Sequence, residues 1–153
     1  MKDERPARGL LDTNVLILCR WVDGAELPAA MAISAVTLAE LSAAPHEVRG
    51  NEEQPAYEES AERARRMDVL QRAEAEFDPI PFGAEAARTY GQVAAAAVTI
   101  GRKPRARTAD LMIAATAIAE GLPLVTTNPD DFRGLGHLLT VVPVRRPTVP
   151  EDG

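Results

Sequence analysis

One short stretch constrains the fold more than any other: Leu10-Leu11-Asp12-Thr13-Asn14-Val15-Leu16-Ile17-Leu18. Aliphatic residues of strand type run into a polar triplet and then into a helix. A carboxylate set in so much aliphatic sequence is unfavourable unless a partner or ligand compensates it. Two readings are open. Asp12 caps the helix that follows, or it stands at the carboxyl end of a central strand, where open α/β sheets gather their ligands.

The 153 residues suffice for one domain with a proper core, about 9–144 between short polar tails, and are too few for two comfortable ones. Only 4% are aromatic against 46% hydrophobic, so the core must be built from Ala, Leu, Val and Ile. Cys19 is the only cysteine, which excludes an intrachain disulfide and a cysteine metal site and suits a reducing cytosol. The charged N-terminus makes a poor signal peptide, and no apolar run is long enough to span a bilayer. The expectation is a cytoplasmic protein with no membrane segment. A net charge of −6 argues against a generally basic nucleic-acid binder but leaves room for local basic patches.

Along the chain, the opening strand and a short helix toward Trp21 are followed by a second buried strand over Ala30–Ala35. A helix over Val36–Leu41 comes next, with Ser34 as a possible cap. Residues 45–55 read as loop, and Ala56–Glu76 as a long polar helix whose arginines lie among acids on a solvated face. Phe77–Pro81 is a short strand or a connector. Ala84–Val98 is an alanine-rich helix suited to close helix packing, and Thr99–Arg107 is a basic loop. The helix over Thr108–Glu120 is apolar on nearly every face and is therefore buried, with Gly121 as its C-cap. Leu122–Thr126 is a third strand. Asn128 caps a turn with Pro129 at its first helical position, and Thr140–Val144 is the last strand. Strands alternating with helices predict an α/β sandwich with a mostly parallel sheet.

Four acids share one anomaly. Asp12, Glu40, Asp110 and Asp131 each lie at or near a helix start beside apolar sequence. An acid in a first helical turn complements the helix dipole, a purely structural role that suits Asp130 and Asp131. However, right-handed crossovers bring strand C-termini and the following helix N-termini to one sheet edge, where these carboxylates would converge. Converged carboxylates repel and require protons or a hard cation. Mg²⁺ and Mn²⁺ prefer oxygen ligands, and such an ion can activate water and offset phosphoryl charge.

Four segments carry a family resemblance: Leu11-Asp12-Thr13-Asn14-Val15-Leu16, Thr37-Leu38-Ala39-Glu40-Leu41, Ala109 to Ala117, and Leu124 to Phe132. In this order and spacing they resemble the signatures of the PIN-domain family, in particular the VapC-type toxins of bacterial toxin–antitoxin pairs. The match runs from about Gly9 to Val144. The resemblance implies a three-layer α/β/α sandwich and a metal-dependent ribonuclease with Asp12, Glu40, Asp110 and Asp131 as its acidic cluster. It also implies Thr13 or Asn14, and Thr127 or Asn128, as polar neighbours, a VapB-type antitoxin partner and a homodimer. The charged segment from Glu47 to Glu76 is longer than the family pattern, and Asp130 beside Asp131 leaves the fourth acid open between them.

The resulting expectation is an endoribonuclease using Mg²⁺ or Mn²⁺ and leaving a 5′-phosphate and a 3′-hydroxyl. Arg102, Lys103, Arg105 and Arg107 form either a contact surface for the RNA backbone or a solvated basic loop. With few aromatics, the protein would select a folded RNA such as transfer or ribosomal RNA by shape rather than by base stacking. The rival from another class is a non-catalytic protein of the same fold whose acidic pocket captures a basic partner segment. An aspartyl-phosphate phosphatase is disfavoured, because Asn14 stands where its motif needs a second acid. His46 and His137 lie outside the acidic motifs and support no histidine mechanism. Cys19 reads as a packed residue, and Trp21 is either core or an exposed anchor for a partner.

Overall fold

The computed structural model of the protein describes residues 5–49 and 56–150. Among the described residues four strands form one sheet: β1 (Arg8–Leu11), β2 (Ala30–Ala32), β3 (Leu124–Thr126) and β4 (Val141–Pro143). Their order is β2-β1-β3-β4 and every pairing is parallel, with Leu10 opposite Leu124 and Leu124 opposite Val141. The helices are α1 (Thr13–Leu18), α2 (Ala35–Ala43), α3 (Ala56–Glu76), α4 (Ala84–Thr99) and α5 (Thr108–Glu120).

The period of two along the central strands divides the core. Leu10 and Leu124 face a cluster with Val93 and Ala97 of α4, Leu111 and Ile113 of α5, and Phe132. Leu11 and Val125 face the opposite way, onto Val15 of α1, Leu41 of α2 and Ala73 of α3. Residues on successive positions thus supply the two apolar faces of a three-layer sandwich, as a buried parallel strand must. Helix α4 turns Ala86, Val93 and Ala97 inward, one stripe at helical spacing, and packs along α5. Leu111 and every residue from Ile113 to Ala117 of α5 are buried. Gly121 ends that helix at φ 67°, a conformation that strains other residues, while the Leu122 N–H closes onto the Ala117 carbonyl at 2.9 Å.

Two local expectations, the second strand and the Asn128 cap, are corrected, and the alternative at Phe77–Pro81 is resolved. The second strand is short and lies at the sheet edge: Ala30 and Met31 are exposed, and burial begins only at Ile33 and Ser34. Edge position is a property of strand order, which local hydropathy does not encode. The segment Phe77–Pro81 is a connector that makes a single parallel bridge, Ile80 to Ser34. Asn128 makes no side-chain cap; its N–H donates instead to Thr126 Oγ1 at 3.0 Å, and Pro129–Phe132 forms a single 3₁₀ turn. By contrast, Ser34 does cap α2, its Oγ accepting from the Thr37 N–H at 3.0 Å. The expected loop over 45–55 starts as a 3₁₀ turn, Ala44–His46; its residues 50–55 lie outside the described residues, as do the first four and last three of the chain. Among the described residues no helix is long and apolar enough to cross a membrane.

Candidate active site

The topology places the ends of β1 and β3 side by side, and both readings of Asp12 hold at once. Asp12 stands at the end of β1, where its N–H donates to the Val125 carbonyl at 2.9 Å, and it is the N-cap of α1. The residue is only 4% exposed, so both carboxylate oxygens require donors. Oδ1 accepts from the Thr13 N–H at 2.9 Å, and Oδ2 accepts from the Thr126 hydroxyl at 2.8 Å.

Glu40 is reached from the other side of Thr13. The Thr13 hydroxyl donates to Glu40 Oε1 at 2.6 Å and lies 3.0 Å from Thr37 Oγ1. A carboxylate only accepts, so the Thr13 proton goes to Glu40 and its oxygen accepts from Thr37. Ser34 Oγ stands 3.4 Å behind Thr37. Ser34, Thr37 and Thr13 thus form a buried file of hydroxyls that ends on a carboxylate.

Asp110 lies in the first turn of α5, where the helix dipole favours an acid. Asp12, Glu40 and Asp110 border one cleft of about 640 Å³, together with Thr13 and the exposed Asn14. Burial pushes the Asp12 carboxyl up; Thr126 and the Thr13 N–H hold it back, while Glu40 and Asp131 push it further. Burial also raises the Asp110 carboxyl, followed by repulsion from Asp12 and Asp131, with Arg107 opposing. Asp12 therefore feels the charges of Glu40 and Asp131, and Asp110 those of Asp12 and Asp131.

Asp131 sits on the Pro129–Phe132 turn with its Oδ1 2.9 Å from Arg107 Nη1. Asp130 beside it is exposed. Among the described residues no three Asp, Glu, His or Cys side chains are arranged to hold a metal ion as they stand. Asp12 is bonded to Thr126, Glu40 to Thr13, and Asp131 to Arg107.

The remaining candidates separate. Thr127 Oγ1 is buried with no partner among the described residues, and Asn128 is half-buried. Arg102 and Arg107 are both spent within the fold, Arg102 on the carbonyls of Asp130 and Asp131 and Arg107 on the Asp131 carboxylate. Lys103 and Arg105 remain exposed. On the far wall of the cleft, α3 carries Arg65 and Arg66, both paired with Glu62, and Arg72, paired with Asp68. Arg66 also donates to the Ala44 carbonyl and Arg63 to the Pro45 carbonyl, which ties this helix to the turn after α2. Trp21 is half-buried on the cleft wall with the Arg20 guanidinium 5.3 Å from its ring. His46 and His137 are exposed and border no part of the cleft. Cys19 is half-buried, and burial raises its thiol above the ordinary range, away from the nucleophilic thiolate.

Sequence reasoning did not single out Thr126 or Thr37. Thr37 carried a usable signal, since it lies three residues before Glu40 on one face of α2. Thr126 carried none that could be separated from an ordinary β-branched strand residue.

The PIN domain family model matches residues 10–138. The chain is 33% identical to Ribonuclease VapC5 of Mycobacterium tuberculosis over 148 residues, covering 92% of this chain and 96% of that protein. The crystal structure of VapBC-5 from M. tuberculosis, a member of the VapBC family of toxin–antitoxin systems, superposes with a TM-score of 0.73 at 32% identity, covering 92% of this chain and all of that one. VapBC2 from Rickettsia felis, bound to a DNA fragment from its promoter, shares the fold with a TM-score of 0.63 at 24% identity, over 90% of this chain and 98% of that one. With the parallel sheet, the acids at its edge and these matches along most of its length, the chain belongs to the PIN-domain family and, within it, to the VapC-type proteins.

Proposed function

We infer that this PIN-domain ribonuclease is the toxin of a toxin–antitoxin pair, and that it hydrolyses RNA phosphodiesters with Mg²⁺ or Mn²⁺ at Asp12, Glu40 and Asp110, completed by Asp131. The observation that carries this reading is the convergence of acids 28 and 70 residues apart on one cleft, with Asp12 and Asp110 both raised by burial and by their neighbours' charge.

The donor set fits a divalent cation in chemistry and in charge. Every candidate ligand is a hard oxygen, as Mg²⁺ and Mn²⁺ prefer, and the repulsion between the carboxylates is the kind a cation relieves. Bound there, the ion supplies Lewis-acid chemistry to a water and to a phosphoryl oxygen. The chain's own residues do the rest. Thr126 and the Thr13 N–H fix the Asp12 carboxylate, the file from Ser34 through Thr37 and Thr13 orients Glu40, and the first turn of α5 presents Asp110. Asp131 fits the fourth role better than Asp130, because its charge acts on both Asp12 and Asp110.

The partners follow from the relatives. The M. tuberculosis structure is of a toxin–antitoxin system, and by that likeness this chain takes a VapB-type antitoxin. We further infer a homodimer and a folded RNA substrate, such as transfer or ribosomal RNA, in a cytoplasmic setting.

The test is cleavage of an RNA panel by metal-stripped protein, without and with Mn²⁺ or Mg²⁺, with Asp12→Asn as control. Metal-dependent cuts leaving 5′-phosphates, absent from the control, are the expected result. No cleavage of any folded RNA with metal present, or equal cleavage by Asp12→Asn, overturns the reading and leaves the acidic cleft as a receptor for a basic segment.

A further inference from the structure

Arg102 occupies a basic loop next to the acidic cleft, yet its guanidinium is turned back onto the chain. Nη1 donates to the Asp131 carbonyl at 3.0 Å and Nη2 to the Asp130 carbonyl at 2.6 Å. We propose that Arg102 is a positioning residue: its planar fork fixes the Pro129–Phe132 turn and thereby holds Asp131 beside Asp12 and Asp110.

The turn needs such a clamp. It is one short 3₁₀ segment, entered by the bond from the Asp131 N–H to the Asn128 carbonyl at 3.1 Å and left by the bond from the Arg133 N–H to the Asp130 carbonyl at 3.2 Å. Among the described residues no side chain caps it, and Phe132 is its one residue buried in the core. Asp131 is therefore gripped at both ends, Arg107 on its carboxylate and Arg102 on its carbonyl. A second contact ties the same two segments. Gly134 adopts φ 91°, and a Cβ there would lie 2.8 Å from Ile100 Cδ1, so Ile100 rests directly on the backbone just past the turn. Arg102 is itself fixed, since its N–H donates to the Ala97 carbonyl at the end of α4 at 2.9 Å. The α4–α5 connection thus acts as a brace on the turn rather than as a free loop. Arginine is specific to this task, because two fixed, divergent donors reach two successive carbonyls, whereas a lysine ammonium offers one point of attachment.

That Asp131 serves a metal-assisted site rests on the function proposed above; the brace itself does not, and the experiment separates the two. Amide hydrogen exchange is measured on metal-free wild type, Arg102→Gln and Arg102→Lys. Exchange at the Asp131 and Arg133 amides should rise about tenfold in both variants, the scale of losing one charge-assisted hydrogen bond. Amides of α5 should not change. If Arg102→Gln fails to fold, Arg102→Lys, which keeps the charge and most of the stem, decides the matter. Unchanged exchange at the turn overturns the proposal.

In the second arm, Mn²⁺ affinity measured by calorimetry should fall roughly tenfold or more in Arg102→Gln, as for loss of a group that orients a ligand. The double variant with Asp131→Ala should bind no more weakly than Asp131→Ala alone. Additive losses overturn the link from Arg102 to Asp131. A reduced salt dependence of RNA binding with unchanged exchange overturns it in favour of a direct phosphate contact. Altered exchange in a protein whose wild type neither binds Mn²⁺ nor cuts RNA supports the brace and overturns the proposed function.

Discussion

The Thr13 hydroxyl donates to Glu40 Oε1 at 2.6 Å, while the Thr13 N–H donates to Asp12 Oδ1 at 2.9 Å. One residue thus orients two carboxylates that are 28 positions apart. Thr13→Val keeps the shape and the N–H but removes the hydroxyl. It should destabilise the protein by about 1–3 kcal/mol, because Glu40 loses its donor and Thr37 Oγ1 loses its acceptor in a buried place. Cleavage should fall well beyond what the loss of folded protein explains, and Thr13→Ser should restore both. Denaturant melts and single-turnover cleavage check this; a Thr13→Ser variant as poor as Thr13→Val would show that the methyl group, not the hydroxyl, matters.

The strands around these residues were legible because hydropathy reports burial directly. Leu10, Leu11, Leu124 and Val125 read as buried central strands and are fully buried. The apolar α5 and its Gly121 stop were equally plain, since a helix apolar all round has only the core to occupy. The edge position of β2 was not, because strand order is decided by pairing partners far along the chain. The acids Asp12, Glu40 and Asp110 stood out as charges in apolar sequence. Thr126, whose hydroxyl donates to Asp12, did not, since a buried threonine looks the same whether its hydroxyl serves a carboxylate or a carbonyl. Arg102 was misleading for a related reason: sequence shows that a charge is present, and only the tertiary structure shows that the guanidinium turns inward.

If the acids form one metal site, removing one charge should relieve the others. Asp12→Asn and Asp110→Asn should abolish cleavage, keep the fold, and melt higher than wild type in the presence of a chelator. Divalent metal at 100 times its Kd should stabilise wild type by about 2.7 kcal/mol, a rise in Tm of about 5–11 °C for a chain of this size. Both variants should shift less. Equal metal-induced shifts in all three proteins would sink the shared site.

The pH dependence of the metal-free protein follows in sign from the same two groups. Asp12 and Asp110 are raised above their ordinary value of 3.8, chiefly by burial. The folded chain therefore binds their protons more readily than the unfolded chain. Their contribution to stability is fully present below pH 3.8 and is lost as pH rises through the raised folded values. The difference in stability between Asp110→Asn and wild type should accordingly grow with pH across the acid range and level off above it. Saturating Mn²⁺ should reverse the trend, since metal and protons compete for the same oxygens. Chemical denaturation at a series of pH values, with chelator and with Mn²⁺, gives both curves; a difference that shrinks with rising pH in chelator would contradict the assignment.

If RNA docks on the basic loop, Lys103 and Arg105 are the residues available to meet it. Both are exposed, and their side chains have no partner among the described residues, whereas Arg102 and Arg107 are bonded to the Pro129–Phe132 turn. An acidic protein needs local positive charge to hold a polyanion beside its carboxylates, and this loop leads directly into the helix that carries Asp110. Removing one cation that neutralises a phosphate should lower the magnitude of the salt slope by about 0.7 for single-stranded nucleic acid. Replacing Lys103 and Arg105 together with Gln should therefore lower it by about 1.4 and raise KM while leaving kcat at saturating RNA unchanged, because neither residue touches the acids. Metal affinity should be untouched. Binding measured from low to high salt in an Asp12→Asn background, where the RNA stays intact, reads the slope cleanly. An unchanged slope would make the loop a solvated connector and move the RNA surface to the far wall of the cleft, where Arg65 and Arg72 of α3 would have to exchange Glu62 and Asp68 for phosphates.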